Sequence, residues 1–321
     1  MWRGPFFLFV YAVLVVLPVV VSSFVIPGFG PVVRELGKCM ALAGIMILAL
    51  QFALAARYKW VERPFGLDML LRFHQRMAVF GAALLLAHPL LLAAGGGGWR
   101  LLVGLDLPWV IWLGKAALAL LIFSVLLSLS QKKLNLKFER WRLVHDILGP
   151  VILISAFTHS WFVGDDLESA LMKVLWAVVL AVTASVFLHH RFLRPRKLRE
   201  RPYRVLDVHP EAENVWTIKL APPEGTAVAP YLPGQFHFIT FLRGRGLPVE
   251  EHHWTISSSP AQAGYVTSTI KDLGDFTSTM GDTKIGDKAL VQGPFGRFSY
   301  RLYPRDKDLV FIAGGSGSRP S

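Results

Sequence analysis

The chain has a single cysteine, Cys39, so no disulfide can form within it and no cysteine-ligated zinc or iron–sulfur centre can be built. Acidic residues are also scarce: 22 Asp and Glu stand against 34 Lys and Arg, giving a formal net charge of +12. That balance would suit a nucleic-acid partner, but the basic residues are distributed in another way, described below. The polar surface of an ordinary soluble protein is missing from the first 190 positions. With 53% hydrophobic residues and a mean hydropathy of +0.45, the chain is too apolar for the soluble class, and its 321 residues leave room for two domains.

What is present instead is a series of long apolar runs. Pro5 to Ile26, Leu36 to Ala56, Leu70 to Ala94, Pro108 to Leu129, Val144 to Val163 and Leu171 to His190 each have the length of a transmembrane helix. The first is too long for a secretory signal and has no small-x-small cleavage site, so it counts as a span. Gly95 to Gly98 reads as a flexible loop. The basic residues fall in alternate loops: Arg57, Lys59, Arg63 and Arg72; then Lys132, Lys133, Lys137, Arg140 and Arg142; then seven between Arg191 and Arg204. The opposite loops hold only Arg34, Lys38 and Arg100. By the positive-inside rule this places both termini in the cytoplasm and six spans in the cell (inner) membrane, with the lipid bilayer rather than nucleic acid as partner.

Four histidines lie inside this apolar part. His74 and His88 are fourteen residues apart in the third run, and His145 and His159 repeat that spacing in the fifth. Fourteen residues make nearly four helical turns, so each pair shares one helix face and its members stand roughly 21 Å apart, within a hydrocarbon core about 30 Å thick. Ionisable groups at such depths are costly and usually functional. Two stacked haems account for all four, with His74 and His145 on one iron and His88 and His159 on the other. Ala78, Gly81 and Leu85, and Gly149, Ile152 and Ala156, share the histidine faces and would leave room for a macrocycle. The competing reading is that small residues serve close helix packing and the histidines hydrogen-bond across the bundle.

This arrangement resembles the ferric reductase and NADPH oxidase superfamily, whose membrane domain carries two b-type haems on two such helices. The resemblance continues past the basic, proline-containing hinge Arg191 to Arg204. There Val215 to Leu220 and Gln235 to Leu242 alternate as strands do, which predicts a small antiparallel β-barrel. Pro233 to Phe236 is similar to the PGQF entry of the family's flavin domain, His252 to Ser258 (HHWTISS) to its HPFTISS signature, Ile270 to Thr277 (IKDLGDFT) to its IRxxGDWT segment, and Gly293 to Gly296 to its GPFG turn. The resemblance implies FAD bound by His252, His253, Trp254, Thr255, Ser257 and Ser258 at the ring and ribityl chain. Lys271, Gly274 and Thr277 would hold the pyrophosphate, Gly274 by opening a short helix at Asp275. Arg142, one turn before His145, is the expected partner of haem propionates.

The domains expected are thus a six-helix dihaem membrane bundle over residues 1–195, a flavin barrel over 196–304, and from 305 to 321 the opening of an α/β nicotinamide domain. Gly314, Gly315 and Gly317 of AGGSGSRP resemble the glycine turn of that last domain. The implied function is transmembrane electron transfer from NAD(P)H, as an indirect donor, through FAD and two haem b groups. Because only the opening of the nicotinamide domain is present, the expectation is either that the chain is a fragment or that a separate reductase reduces its FAD. Asp165, Asp166 and Glu168, just after His159, would draw a cation, favouring ferric iron over dioxygen as acceptor. Two other classes stay open: a dihaem cytochrome subunit exchanging electrons with quinone, and a histidine-lined metal transporter.

Overall fold

A computed structural model describes residues 3–25, 30–244, 246–303, 308 and 310. Of the nicotinamide-domain opening expected over 305–321 only 308 and 310 are described, and the glycines at 314, 315 and 317 lie outside the described residues. Helices α1 (Arg3–Val25), α2 (Val32–Ala55), α3 (Lys59–Phe65) and α4 (Leu67–Leu92) are followed by a π turn, Ala93–Gly97, and the short α5 (Arg100–Val103). Then come α6 (Trp109–Ser130), α7 (Phe138–Val163), α8 (Ala170–Leu188) and, after a second π turn, α9 (Arg194–Glu200). Six of these segments are long and apolar enough to cross a bilayer. The chain is therefore a multi-pass membrane protein.

Lipid tails are as apolar as leucine, so hydrophobic burial does not drive these helices together; close packing does. A Cβ on Gly44 of α2 would stand 2.7 Å from Leu85 Cγ, and one on Gly81 of α4 would stand 2.9 Å from Ile47 Cγ2. Gly81 therefore serves α2–α4 contact rather than leaving room for a macrocycle, whereas a Cβ on Gly149 would meet only Phe52 at an ordinary 3.6 Å. Gly95, expected in a flexible loop, is buried in the π turn, where a Cβ would come within 2.6 Å of the Arg34 amide nitrogen. Two segments pack here with backbone against backbone. Ile47, Met172 and Trp176 form the fully buried centre of the bundle, and Trp176 Nε1 donates to Ser160 Oγ at 3.2 Å.

The chain forms two compact units, Met1–Pro64 with Met69–Leu188 and Phe65–Asp68 with His189–Ser321, so α9 belongs with the sheet that follows it. That sheet contains β1 (Tyr203–Ala212), β2 (Val215–Ala221), β3 (Phe236–Leu242), β4 (Glu251–Thr255), β5 (Val266–Lys271) and β6 (Lys288–Phe295), in the order β4-β3-β6-β1-β2-β5. All pairings are antiparallel. The expected closed barrel is not formed: β4 and β5 are edges, joined beyond the end of β4 by the Ser257 amide donating to the Thr267 carbonyl at 2.9 Å. Alternation sends His237, Ile239 and Phe241 inward together. They meet Ile218, Leu220, Ile270 and Met280 in one core, each large side chain contributing roughly 1.5–3 kcal/mol.

His237 is the one titratable member of that row. Its Nε2 lies 2.6 Å from Ser268 Oγ across the interior, and burial holds its pKa down from 6.5 to about 4. Below pH 6.5 the unfolded chain takes up a proton that the folded chain refuses. Stability is thus complete above 6.5 and declines by about 3 kcal/mol as pH falls toward 4. Amide exchange of β3 and β5 in the full chain should show protection lost between pH 6.5 and 4.5, and His237→Asn should flatten that profile. Equal slopes in both proteins would assign the acid sensitivity to another group.

Candidate haem and flavin sites

His74 on α4 and His145 on α7 face each other, with ring centroids 6.2 Å apart and planes inclined by 70°. An imidazole nitrogen bonds a metal at about 2 Å and lies about 1 Å from its ring centre, so two imidazoles on opposite sides of one iron have centroids roughly 6 Å apart. The observed spacing fits that arrangement. The same spacing and inclination also fall within the range of a direct edge-to-face contact, and α4 and α7 are not among the closely packed helix pairs, which is compatible with the width a macrocycle requires. The residues present therefore fit a bis-histidine haem at this level.

The other ring nitrogens supply a second test. His88 Nδ1 lies 3.0 Å from the Gly37 carbonyl of α2, and His159 Nδ1 lies 2.7 Å from the Val110 carbonyl of α6. A carbonyl only accepts, so each Nδ1 carries the proton and each Nε2 keeps its lone pair for a metal. His145 Nδ1 is 3.5 Å from Ser124 Oγ. The Gln51 backbone, fourteen residues after Gly37, faces His74, although His74 Nδ1 remains buried outside hydrogen-bond geometry among the described residues. Trp141 stacks on His145 with centroids 5.4 Å apart and donates through Nε1 to Ser128 Oγ at 3.2 Å, which fixes the imidazole from a second side. None of these supports was identified from sequence, because backbone acceptors on a neighbouring helix leave no side-chain signature. Arg142 sits one turn from His145, 4.0 Å from Asp146.

At the other end of the bundle, charges are already paired. Asp165 accepts from Arg34 at 3.3 Å and lies 3.4 Å from Lys38, while Lys38 also meets Glu35 at 3.2 Å. Asp166 is buried and accepts from Ser22 Oγ at 2.7 Å; Glu168 is exposed. The three carboxylates therefore do not form the common cation-drawing face expected of them. Arg34, Glu35, Lys38, Gly95, Gly96 and Asp165 line a pocket of about 490 Å³.

In the sheet, the register pairs Trp254 with His237 and His252 with Ile239, so these two rings of HHWTISS turn to the inner face. There His252 lies 4.2 Å from Phe276, centroid to centroid, and its Nε2 is 2.9 Å from Glu250. Trp254 stacks on Phe276 at 6.1 Å. His253 and Thr255 turn outward beside Phe236 and Phe238. Several expected flavin contacts are otherwise engaged. Ser257 Oγ bonds Thr267 and Thr269, and Ser258 Oγ bonds Tyr231 and the Thr267 amide, closing the sheet edges. The Gly274 amide donates to Thr277 Oγ1 at 3.0 Å, and the helix expected at Asp275 is a 3₁₀ segment beginning at Thr277. Gly274 and Thr277 thus hold their own turn. Lys271 is exposed at the end of β5.

Residues 40–156 match the family described as ferric reductase like transmembrane component. The match includes His74, His88 and His145 and ends before His159. Sulfhydrogenase 1 subunit gamma of Pyrococcus furiosus is 31% identical over 114 residues, covering 34% of this chain and 36% of that protein. A flavohemoprotein of Candida norvegensis is 26% identical over 125 residues, 37% of this chain and 31% of its own. The chain thus spans about a third of the length of each. Among solved structures, the flavohem-like FAD/NAD binding domain of nitric oxide dioxygenase from Vibrio cholerae is 24% identical with a TM-score of 0.28, covering 31% of this chain and 45% of that one.

Proposed function

We propose that the chain, which carries a ferric reductase like transmembrane component at residues 40–156, is a transmembrane oxidoreductase that moves electrons from cytoplasmic NAD(P)H, used indirectly, to an acceptor on the far side of the membrane. The observation that carries this reading is the 6.2 Å spacing of the His74 and His145 rings on two separate helices. When bound, FAD divides an electron pair and two bis-histidine haems provide one-electron carriers at two depths. The chain's own residues set the conditions for this. Gly37 and Val110 carbonyls hold His88 and His159 in the tautomer that leaves Nε2 for iron. Trp141 and Ser124 position His145, and Arg142, one turn from it, would supply the cation for propionates of the inner haem. His253 and Thr255, outward on edge strand β4, are the ring contacts, and Lys271 supplies charge for the pyrophosphate.

Absorption of the purified chain with and without dithionite, combined with flavin fluorescence after denaturation, tests the reading. Two haems and a flavin per chain are expected. Haem without flavin would replace it with a dihaem cytochrome, and neither cofactor would refute it.

The acceptor we propose is ferric iron, delivered as a small charged chelate. Dioxygen needs no pocket of about 490 Å³ lined by paired charges. Asp165 is the most exposed carboxylate of the Arg34–Lys38 pairs, with 57% of its side chain accessible. Asp165→Asn leaves both cations less opposed and should lower KM for ferric citrate about two- to fivefold at low salt, the scale of an exposed ion pair. The difference should vanish near 1 M salt, where screening falls to about 3 Å. An unchanged KM at low salt would exclude this pocket as the approach.

A further inference from the structure

The geometry points to Gly114 of α6 as the residue that sets the position and basicity of the axial ligand His159, an inference that rests on the dihaem reading above. A Cβ on Gly114 would stand 2.6 Å from both Cε1 and Nδ1 of His159 and 2.8 Å from its Cγ. Those distances are far inside van der Waals contact, and the obstacle is a planar ring rather than the end of a flexible chain. The ring lies in the notch that the missing side chain leaves.

The same absence exposes the acceptor. Helical side chains lean toward the N-terminus and cover the turn before their own Cα. A side chain at 114 would therefore lie over the Val110 carbonyl, four residues earlier, to which His159 Nδ1–H donates at 2.7 Å. Glycine opens both the space for the ring and the path to the carbonyl. The corresponding position after Gly37, the acceptor for His88, is Ala41, also small. Trp109 packs on Phe162 at 5.9 Å and so ties α6 to α7 near the notch, while Lys115 Nζ is bonded to the Leu102 and Gly104 carbonyls of the preceding segment.

A strong Nδ1–H···O=C bond makes the imidazole a better donor through Nε2 and stabilises ferric iron. Gly114→Ala, by pushing the ring off Val110, should raise the midpoint potential of the haem on His88 and His159 and shift its low-spin electron paramagnetic resonance signal. The haem on His74 and His145 should keep its potential. The affected component is identified as the one lost in His88→Leu. The haem on His74 and His145 is the internal control, since the three atoms nearest the Gly114 Cβ position all belong to His159. If Gly114→Ala does not accumulate, replacing Ile111 by its α-hydroxy analogue turns the Val110 carbonyl into a weaker ester acceptor without adding an atom at 114, and the same upward shift is expected. Two haems in the wild type with unchanged potentials in the variant would overturn this inference alone. A wild type lacking the His88–His159 haem would overturn the functional reading as well.

Discussion

His74→Leu and His145→Leu should each lower haem content from two per chain to one, and His88→Leu and His159→Leu should do the same for the other haem. The reason is geometric. In the proposed arrangement each iron would have two protein ligands on different helices, so no neighbour could replace the one removed, and because α4 and α7 are not among the closely packed helix pairs a single imidazole would not hold a macrocycle between them. The two losses should be separable: the component that disappears in His74→Leu must be the one that disappears in His145→Leu, and it must persist in His88→Leu and His159→Leu. A pyridine haemochrome assay combined with redox titration reads both quantities. Haem content unchanged in any single variant would remove that histidine from the ligand set, and loss of both haems in all four would mean that the bundle, rather than individual irons, had failed.

The placing of His74 and His88 on one helix and of His145 and His159 on another was legible because a fourteen-residue interval is a property of one helix and needs no knowledge of its neighbours. What was not legible depends on which helix lies opposite. Gly81 and Gly44 interlock with Ile47 and Leu85, so small residues on a histidine face signalled helix contact, and the residue that makes room beside a ligand is Gly114, forty-five positions from His159 in sequence. The acidic run at 165–168 was read without its partners for the same reason: Arg34 and Lys38 arrive from α2. In the sheet, strict alternation did contain the answer for His252 and Trp254. They pair with Ile239 and His237 and so share the inner face with Phe241. His237 itself was readable from QFHFITFL, since positions 237, 239 and 241 must lie on one side of a strand.

The PGQF segment shows why a motif can mark a turn before it marks a cofactor, and it leads to the largest stability effect expected in the sheet. Gly234 has φ of +82°, a region that side chains disfavour by about 1–2 kcal/mol. A Cβ there would also collide with the Phe298 carbonyl, which belongs to backbone and cannot rotate away. The neighbouring Gln235 ties the same junction together: its Oε1 accepts from the Leu232 amide at 2.9 Å, its Nε2 donates to the Gly296 carbonyl at 2.8 Å, and its own carbonyl accepts from the Ile256 amide at 2.9 Å. The turn thus connects β3 to the GPFG segment and to the end of β4, and shifting it breaks several buried bonds together. Gly234→Ala should therefore cost about 3 kcal/mol or more, combining the conformational penalty with displaced hydrogen bonds. In the full chain it should expose β3, β4 and β6 to amide exchange and abolish flavin retention while leaving haem content at the wild-type value. Gly225→Ala is the matched comparison, because Gly225 also has φ of +75° but nothing within 4 Å of its Cβ position; it should cost only the conformational part. Equal losses in the two variants would show that backbone strain, not the contact with Phe298, makes glycine necessary at 234.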